Sequence, residues 1–191
     1  MQFQGKKIGI ATTVAQLVNT IVLKEMEQMI TGGAELFIII LDADERGLKN
    51  PLKELLPQLR ASTPYSPRSG GLAGSSPTHC PPLDLLVIIS GFPGLLEHLV
   101  RLLPEEYPGT PLVLLLLPSP GEKPAFPQLS SLIEKKGVFF VPFGSLSSNR
   151  DKESGLPLLC SRIDLLGEAC AAALEGCQLR PFVWDNHYFP H

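Results

Sequence analysis

Five apolar runs of strand length, separated by stretches with helical patterning, constrain this chain more than any other feature. They are "KIGIA" (7–11), "ELFIIIL" (35–41), "LDLLVIIS" (83–90), "LVLLLL" (112–117) and "GVFFVP" (137–142). Most are nearly continuous in apolar residues and do not alternate, the pattern of parallel strands covered on both faces. Pro111 and Pro118 bracket the leucine run and limit it to strand length. Strand–helix alternation with short connections implies right-handed crossovers and an α/β three-layer sandwich around a parallel sheet of about five strands.

The intervening segments fit that plan. From Val14 to Thr31, the residues Val14, Val18, Ile21, Val22, Met26 and Met29 share one face, as in a helix that covers a sheet. Thr12 or Thr13 can cap its N-terminus, and Gly32-Gly33 ends it. Further helices are expected near 51–60, 94–103 and 125–136. A last one over 158–176 would align Leu159, Ile163, Leu166, Cys170, Leu174 and Cys177. Residues 61–82, "ASTPYSPRSGGLAGSSPTHCPP", are too rich in Ser, Pro and Gly for a regular element. A stretch that long is either functional or disordered, and a flexible insertion in a single domain spanning 1–191 is expected.

Composition narrows the function classes. A net charge of −3 offers no basic field for nucleic acid. Cysteines at 80, 160, 170 and 177 form no CxxC pair, so a reduced, cytoplasmic protein is expected. "MQFQGKKIGI" has neither the apolar core nor the cleavage site of a secretory leader, and "PLVLLLLP" is too short to span a bilayer. His79-Cys80, His98 and the Asp185/His187 pair lack partners at metal-ligand spacing, so no metal site is expected. Without GxGxxG after the first run, Asp42, Asp44 and Glu45 do not read as ribose-binding residues. A receiver domain is excluded because the third run ends in Ser90 and not an aspartate.

In open α/β sheets ligands collect beyond the carboxyl ends of strands, where strand order reverses. For the order 2-1-3-4-5, two loops meet there: "ATTVAQ" (11–16) and "SGFPG" (90–94). The second supplies Ser90, Gly91 and free N–H groups that could hold an anion, or else it is only a tight turn. The first offers the hydroxyls of Thr12 and Thr13, but Val14 and Ala15 crowd a close phosphate approach, and a plain helix cap is the simpler reading. The fifth run leads directly into Pro142-Phe143-Gly144. A polar loop follows with Arg150, Asp151, Lys152 and Glu153, a charge cluster that ordinarily marks solvated surface.

"KKIGIATT", "PLDLLVIISG", "KKGVFFVPFGS", "RIDLL" and "LRPFVWDN" occur in the order and spacing of the family of B-type subunits of dipicolinate synthase, which the chain resembles over most of its length. The resemblance fails over 45–82 and is strongest from 137 onward. It implies a Rossmann-like, flavodoxin-order fold of the wider flavoprotein group, an oligomer, and action with the A-type subunit of dipicolinate synthase, which carries the NAD(P) site. The implied reaction oxidises a dihydrodipicolinate to dipicolinate in the cytoplasm of the mother cell of a spore-forming bacterium.

Carried over position by position, the resemblance assigns Thr12, Thr13, Ser90, Gly91, Phe143 and Gly144 to a cofactor such as FMN. Arg150, Lys152 and Arg162 become the candidates for a small dicarboxylate substrate. Departures fall on these same loops. Where the family has Thr-Gly-Ser-His, this chain has Thr13, Val14, Ala15 and Gln16, and Phe92-Pro93 replaces Asn-Ser in the second loop. Pro157-Leu158 replaces a further Asn-Ser, and Arg162 stands where the family has Lys. The expectation is therefore a retained scaffold with a weakened flavin site: either a B-type partner within the synthase, or a non-catalytic scaffold that kept the fold. Gln16 in place of His argues against an FMN-dependent decarboxylase.

Overall fold

The computed structural model describes residues 2–12, 16, 19–40, 82–90, 100, 107–117, 132–150, 157–181 and 183–184. The insertion expected at 61–82 lies, except for Pro82, outside the described residues. So do the helix expected at 51–60 and most of those at 94–103 and 125–136.

All five apolar runs form strands: β1 (Lys7–Thr12), β2 (Glu35–Ile40), β3 (Leu85–Ser90), β4 (Leu112–Leu116) and β5 (Val138–Phe140). They make one sheet in the order β2-β1-β3-β4-β5, with every neighbouring pair parallel. Because successive side chains point to opposite faces, a continuous apolar run supplies two cores. Ile8, Ile10, Val87, Ile89, Val113 and Leu115 belong to one, and Leu86, Ile88, Leu112, Leu114, Leu116 and Phe140 to the other. Two helices cover the first face: α1 (Thr20–Thr31), through Val22, Met26 and Met29, and α2 (Leu166–Leu174), through Leu166, Ala169, Cys170 and Ala173. On the second face the described helical residues Val100 and Leu132 are buried in the core. The result is the flavodoxin-like α/β sandwich that the sequence implies.

The helix expected over 14–31 is interrupted at Asn19, and 13–15, 17 and 18 lie outside the described residues. Gln16 is helical, but Asn19 is extended (φ −69°, ψ 116°), and its Oδ1 accepts the N–H groups of Ile21 (3.0 Å) and Val22 (3.3 Å). The cap of α1 is thus Asn19, while Thr12 closes β1. The apolar spacing runs unbroken across Asn19, which hides the interruption in the sequence. The far end behaves as expected. Gly33 (φ 99°) donates to the Ile30 carbonyl and Ala34 to that of Met29, a paired closure that needs the left-handed backbone glycine tolerates.

A second correction concerns 143–161. The start of the expected polar loop, as far as Arg150, and the first part of the expected last helix are strands: β6 (Phe143–Arg150) and β7 (Pro157–Ser161), paired antiparallel with an irregularity between Leu146 and Arg150; 151–156 lie outside the described residues. A short β8 (Val183–Trp184) pairs parallel to β6, completing a three-stranded sheet in the order β7-β6-β8. The helical part begins only after a 3-10 turn, Ile163–Leu165. Of the expected stripe, Leu166 and Cys170 are buried on α2, Leu174 is half-buried, and Cys177 is exposed beyond the helix end. Leu159 lies in β7.

The outer edge of β5 is closed by a side chain. Gln178 Oε1 accepts the Phe140 N–H (2.8 Å) and Gln178 Nε2 donates to the Phe140 carbonyl (2.7 Å), as a neighbouring strand would. Nε2 also donates to the Leu179 carbonyl at 3.0 Å. No helix among the described residues is long and apolar enough to cross a membrane.

Candidate functional site at the carboxyl rim of the sheet

Strand order reverses between β1 and β3, and the carboxyl ends of both strands carry a buried hydroxyl. Thr12 and Ser90 are each 0% exposed, and neither is without a partner. Ala11 pairs with Ile88, so the two hydroxyl residues close adjacent strands at nearly the same level. Ser90 in turn pairs with Leu116 of β4, and its carbonyl accepts the Leu117 N–H at 3.0 Å.

A third hydroxyl continues this rim. Leu116 directs its N–H towards the β5 side, but β5 ends too early to accept it. The Oγ of Ser161, 3% exposed, accepts that bond at 2.8 Å. Ser161 therefore ties the three-stranded sheet to β4. Among the described residues the buried polar side chains are Thr12, Ser90, Ser161 and Glu25, so three of the four stand at one end of the sheet.

Arg162 extends the cluster. Its N–H donates to the Pro142 carbonyl (2.8 Å), and its stem lies on Gly144, where an added Cβ would come within 3.1 Å of the Arg162 Cδ. The guanidinium, on a side chain 18% exposed, makes a two-point pair with Asp164. Nε donates to Oδ1 at 2.8 Å and Nη2 to Oδ2. That hydrogen bonding, helped by the positive charge, holds the Asp164 carboxyl below the usual carboxylate range despite partial burial.

Behind the rim, Glu25 of α1 is 7% exposed, and its Oε2 accepts the Gly167 N–H at 3.4 Å. Burial pushes its carboxyl upward, and Asp164 and Glu168 add to the rise; the Gly167 N–H and Lys24 oppose it. Burial likewise pushes the Cys170 thiol up, reinforced by Glu25, so this cysteine is an inert core group.

The other residues expected at the site are divided. Phe143 is 0% exposed, with its ring in the core 6.0 Å from that of Phe140. Gly144 meets Arg162. Arg150 closes β6 opposite Pro157, six residues from Gly144, or roughly 20 Å along a strand. Arg150 and Arg162 thus occupy opposite ends of β6. Thr13, Gly91 and Lys152 lie outside the described residues, as do His79, Cys80, His98, Asp185 and His187. Among the described residues, no group of three or more His, Cys, Asp or Glu is placed to hold a metal ion.

Sequence reasoning misses Ser161 and Asp164. "PLLCS" ends an apolar run in serine just as "LLVIIS" does, and that shared ending is the signal that could have found Ser161.

The sheet order and the rim at its switch point define a flavodoxin-like α/β protein. No family model matches the chain, and no curated protein matches it by sequence. Among solved structures it is similar to the B-type subunit of dipicolinate synthase from Bacillus halodurans, with a TM-score of 0.70 and 19% identity. The match covers 96% of this chain and 98% of the other. At that identity the likeness establishes the fold.

Proposed function

We propose that this chain is the counterpart of the B-type subunit of dipicolinate synthase, working with the A-type subunit to oxidise dihydrodipicolinate to dipicolinate during sporulation. The observation that carries this reading is the likeness in fold along nearly the whole of both chains. In the reaction the dihydropyridine ring gives up a hydride to the NAD(P) held by the A-type partner and a proton to solvent. The contribution of this chain would be to order the substrate's carboxylates. Arg162 is the described cation nearest the rim, and Arg150 and Lys152 are further candidates, because carboxylates pair best with charged donors.

Among the described residues, none of the positions expected to touch FMN is exposed. Thr12 and Ser90 present no surface to a ligand, and the Phe143 ring is spent on the core. No step is therefore assigned to flavin. Together with Val14, Ala15 and Gln16 at the first turn, this favours a second reading: an assembly protein that kept the fold and lost the cofactor.

The first of two measurements separates these readings, and the second tests the lost flavin site that both share. Co-expression with the A-type partner should give a complex whose dipicolinate formation falls when this chain is omitted; unchanged turnover without it would sink the enzymatic reading. Titration with FMN should leave flavin fluorescence unquenched, and quenching with micromolar affinity would restore the cofactor site.

A further inference from the structure

Among the described residues one carboxyl group is buried, that of Glu25 in α1. It closes a seam whose other side has little of its own to close it. Leu165, which precedes α2, lends no side chain to the free N–H groups of that helix's first turn. Glu25 reaches across from α1 and accepts one of them, the Gly167 N–H, through Oε2 at 3.4 Å. This is its only hydrogen bond among the described residues, and it is long. The charges around it are mostly of its own sign. Asp164, in the turn leading into α2, and Glu168, in the first turn of α2, oppose ionisation of Glu25, and Lys24 on α1 favours it. Pairing with Arg162 keeps Asp164 ionised even in mild acid. Beneath the seam the core is apolar, and the fully buried Cys170 of α2 lies close enough to sense the Glu25 charge.

We infer that Glu25 is a proton-operated latch between α1 and the turn that carries Arg162 and Asp164: protonated, it closes the seam over Cys170; ionised, it lets the seam open locally to water. A neutral carboxyl accepts the Gly167 N–H without bringing charge into the core. An ionised one is left with a single long bond and two like-charged neighbours, and a buried charge without a close partner is unfavourable. Parting the helices admits water to it. In the open form Glu25 titrates in the ordinary carboxylate range, whereas in the closed form burial raises it. The closed form is therefore favoured to a constant degree below the ordinary range. It loses ground as pH rises from there through the closed-form value, and loses no more above it. Arg162 and Asp164 flank the same turn, so the guanidinium at the rim is held less firmly at neutral pH than in mild acid. The latch is independent of the synthase reading and applies equally to a scaffold.

The test is thiol labelling of the full chain with a dipyridyl disulfide, which reacts in acid as well as at neutral pH, read peptide by peptide by mass spectrometry. Cys177 is exposed and reports the reagent's own dependence on pH. The ratio of Cys170 to Cys177 labelling should rise severalfold between about pH 5 and about pH 8, an interval that begins above the ordinary carboxylate range. Glu25→Gln keeps an acceptor for the Gly167 N–H and removes the charge, so it should hold the ratio at its low value throughout. Low concentrations of urea separate local from global opening, because the response to urea follows the surface exposed. The Cys170 rate should climb far less steeply with urea than global unfolding does. A ratio that does not rise with pH, a rise that persists in Glu25→Gln, or a urea response as steep as that of global unfolding would each overturn the inference. Thermal unfolding checks that the variant is folded, and the pH and urea responses of the unaltered chain decide the question without it.

Discussion

In the five-stranded sheet, β3 and β4 are apolar runs with every residue buried. In the three-stranded sheet, β6 reads Phe-Gly-Ser-Leu-Ser-Ser-Asn-Arg and holds its place by pairing with β7 along one edge and β8 along the other. The first sheet is specified by side chains and the second by backbone partners. Strands specified by burial announce themselves in a sequence. Strands specified by pairing do not, because a partner must be known before the pairing can be read.

The contrast can be broken or sharpened by mutation, beginning with the largest effect. Leu114→Ala, at a fully buried position in the centre of β4, should cost about 2–5 kcal/mol, read from the shift in urea midpoint. A loss under about 1 kcal/mol would mean that the main sheet is not held by its core. Ser161→Ala tests the joint between the sheets. It leaves the buried Leu116 N–H without its acceptor and should cost about 1–3 kcal/mol. Hydrogen exchange should speed up at Leu116, and an unaffected Leu116 amide would place the joint elsewhere. Gln178→Ala removes both bonds to Phe140 and should cost about 1–2 kcal/mol. It should also raise the fraction of associated protein in sedimentation, since an uncovered edge is a template for another strand.

The smallest effect lies at the seam between α1 and α2. The Glu25 carboxyl is raised in the folded state, chiefly by burial, so the folded protein holds its proton more tightly than the unfolded chain. The resulting stabilisation is fully present below the ordinary carboxylate range and is lost as pH rises through the folded-state value. Glu25→Gln should flatten that fall in stability between mildly acidic and neutral pH. Thermal melts across that interval check it, and an unchanged slope would remove Glu25 as its source.

The same division explains which features are legible in the sequence. The five apolar runs announce a parallel sheet; its order β2-β1-β3-β4-β5 is the flavodoxin order that the resemblance implies, and it is the order observed. Ser90 stands on the rim because it ends a buried strand, a position that can be counted from the sequence. The cap at Asn19 is hidden by an apolar spacing that continues through it. The role of Ser161 depends on β5 stopping short, and the occupation of Arg162 depends on a turn that brings Asp164 back onto it. The first is not a property of local sequence, and the second, although its partners are two residues apart, needs the geometry of that turn. Arg150 and Arg162 could meet one ligand only if 143–162 were loop; as paired strands, β6 and β7 put Arg150 opposite Pro157 and leave Arg162 beside Gly144, at the other end of β6.

The Gln178 contact has a consequence for the order of events during synthesis. The glutamine follows Phe140 by 38 residues. At a translation rate of about 5–20 residues per second, β5 is complete for roughly 2–8 s before its cover has been made. A chain that ends within that interval leaves the outer edge of β5 without this cover. Protection of this edge thus depends on the chain's far end: a fragment ending between Phe140 and Gln178 would present the β5 edge that Gln178 covers in the finished molecule.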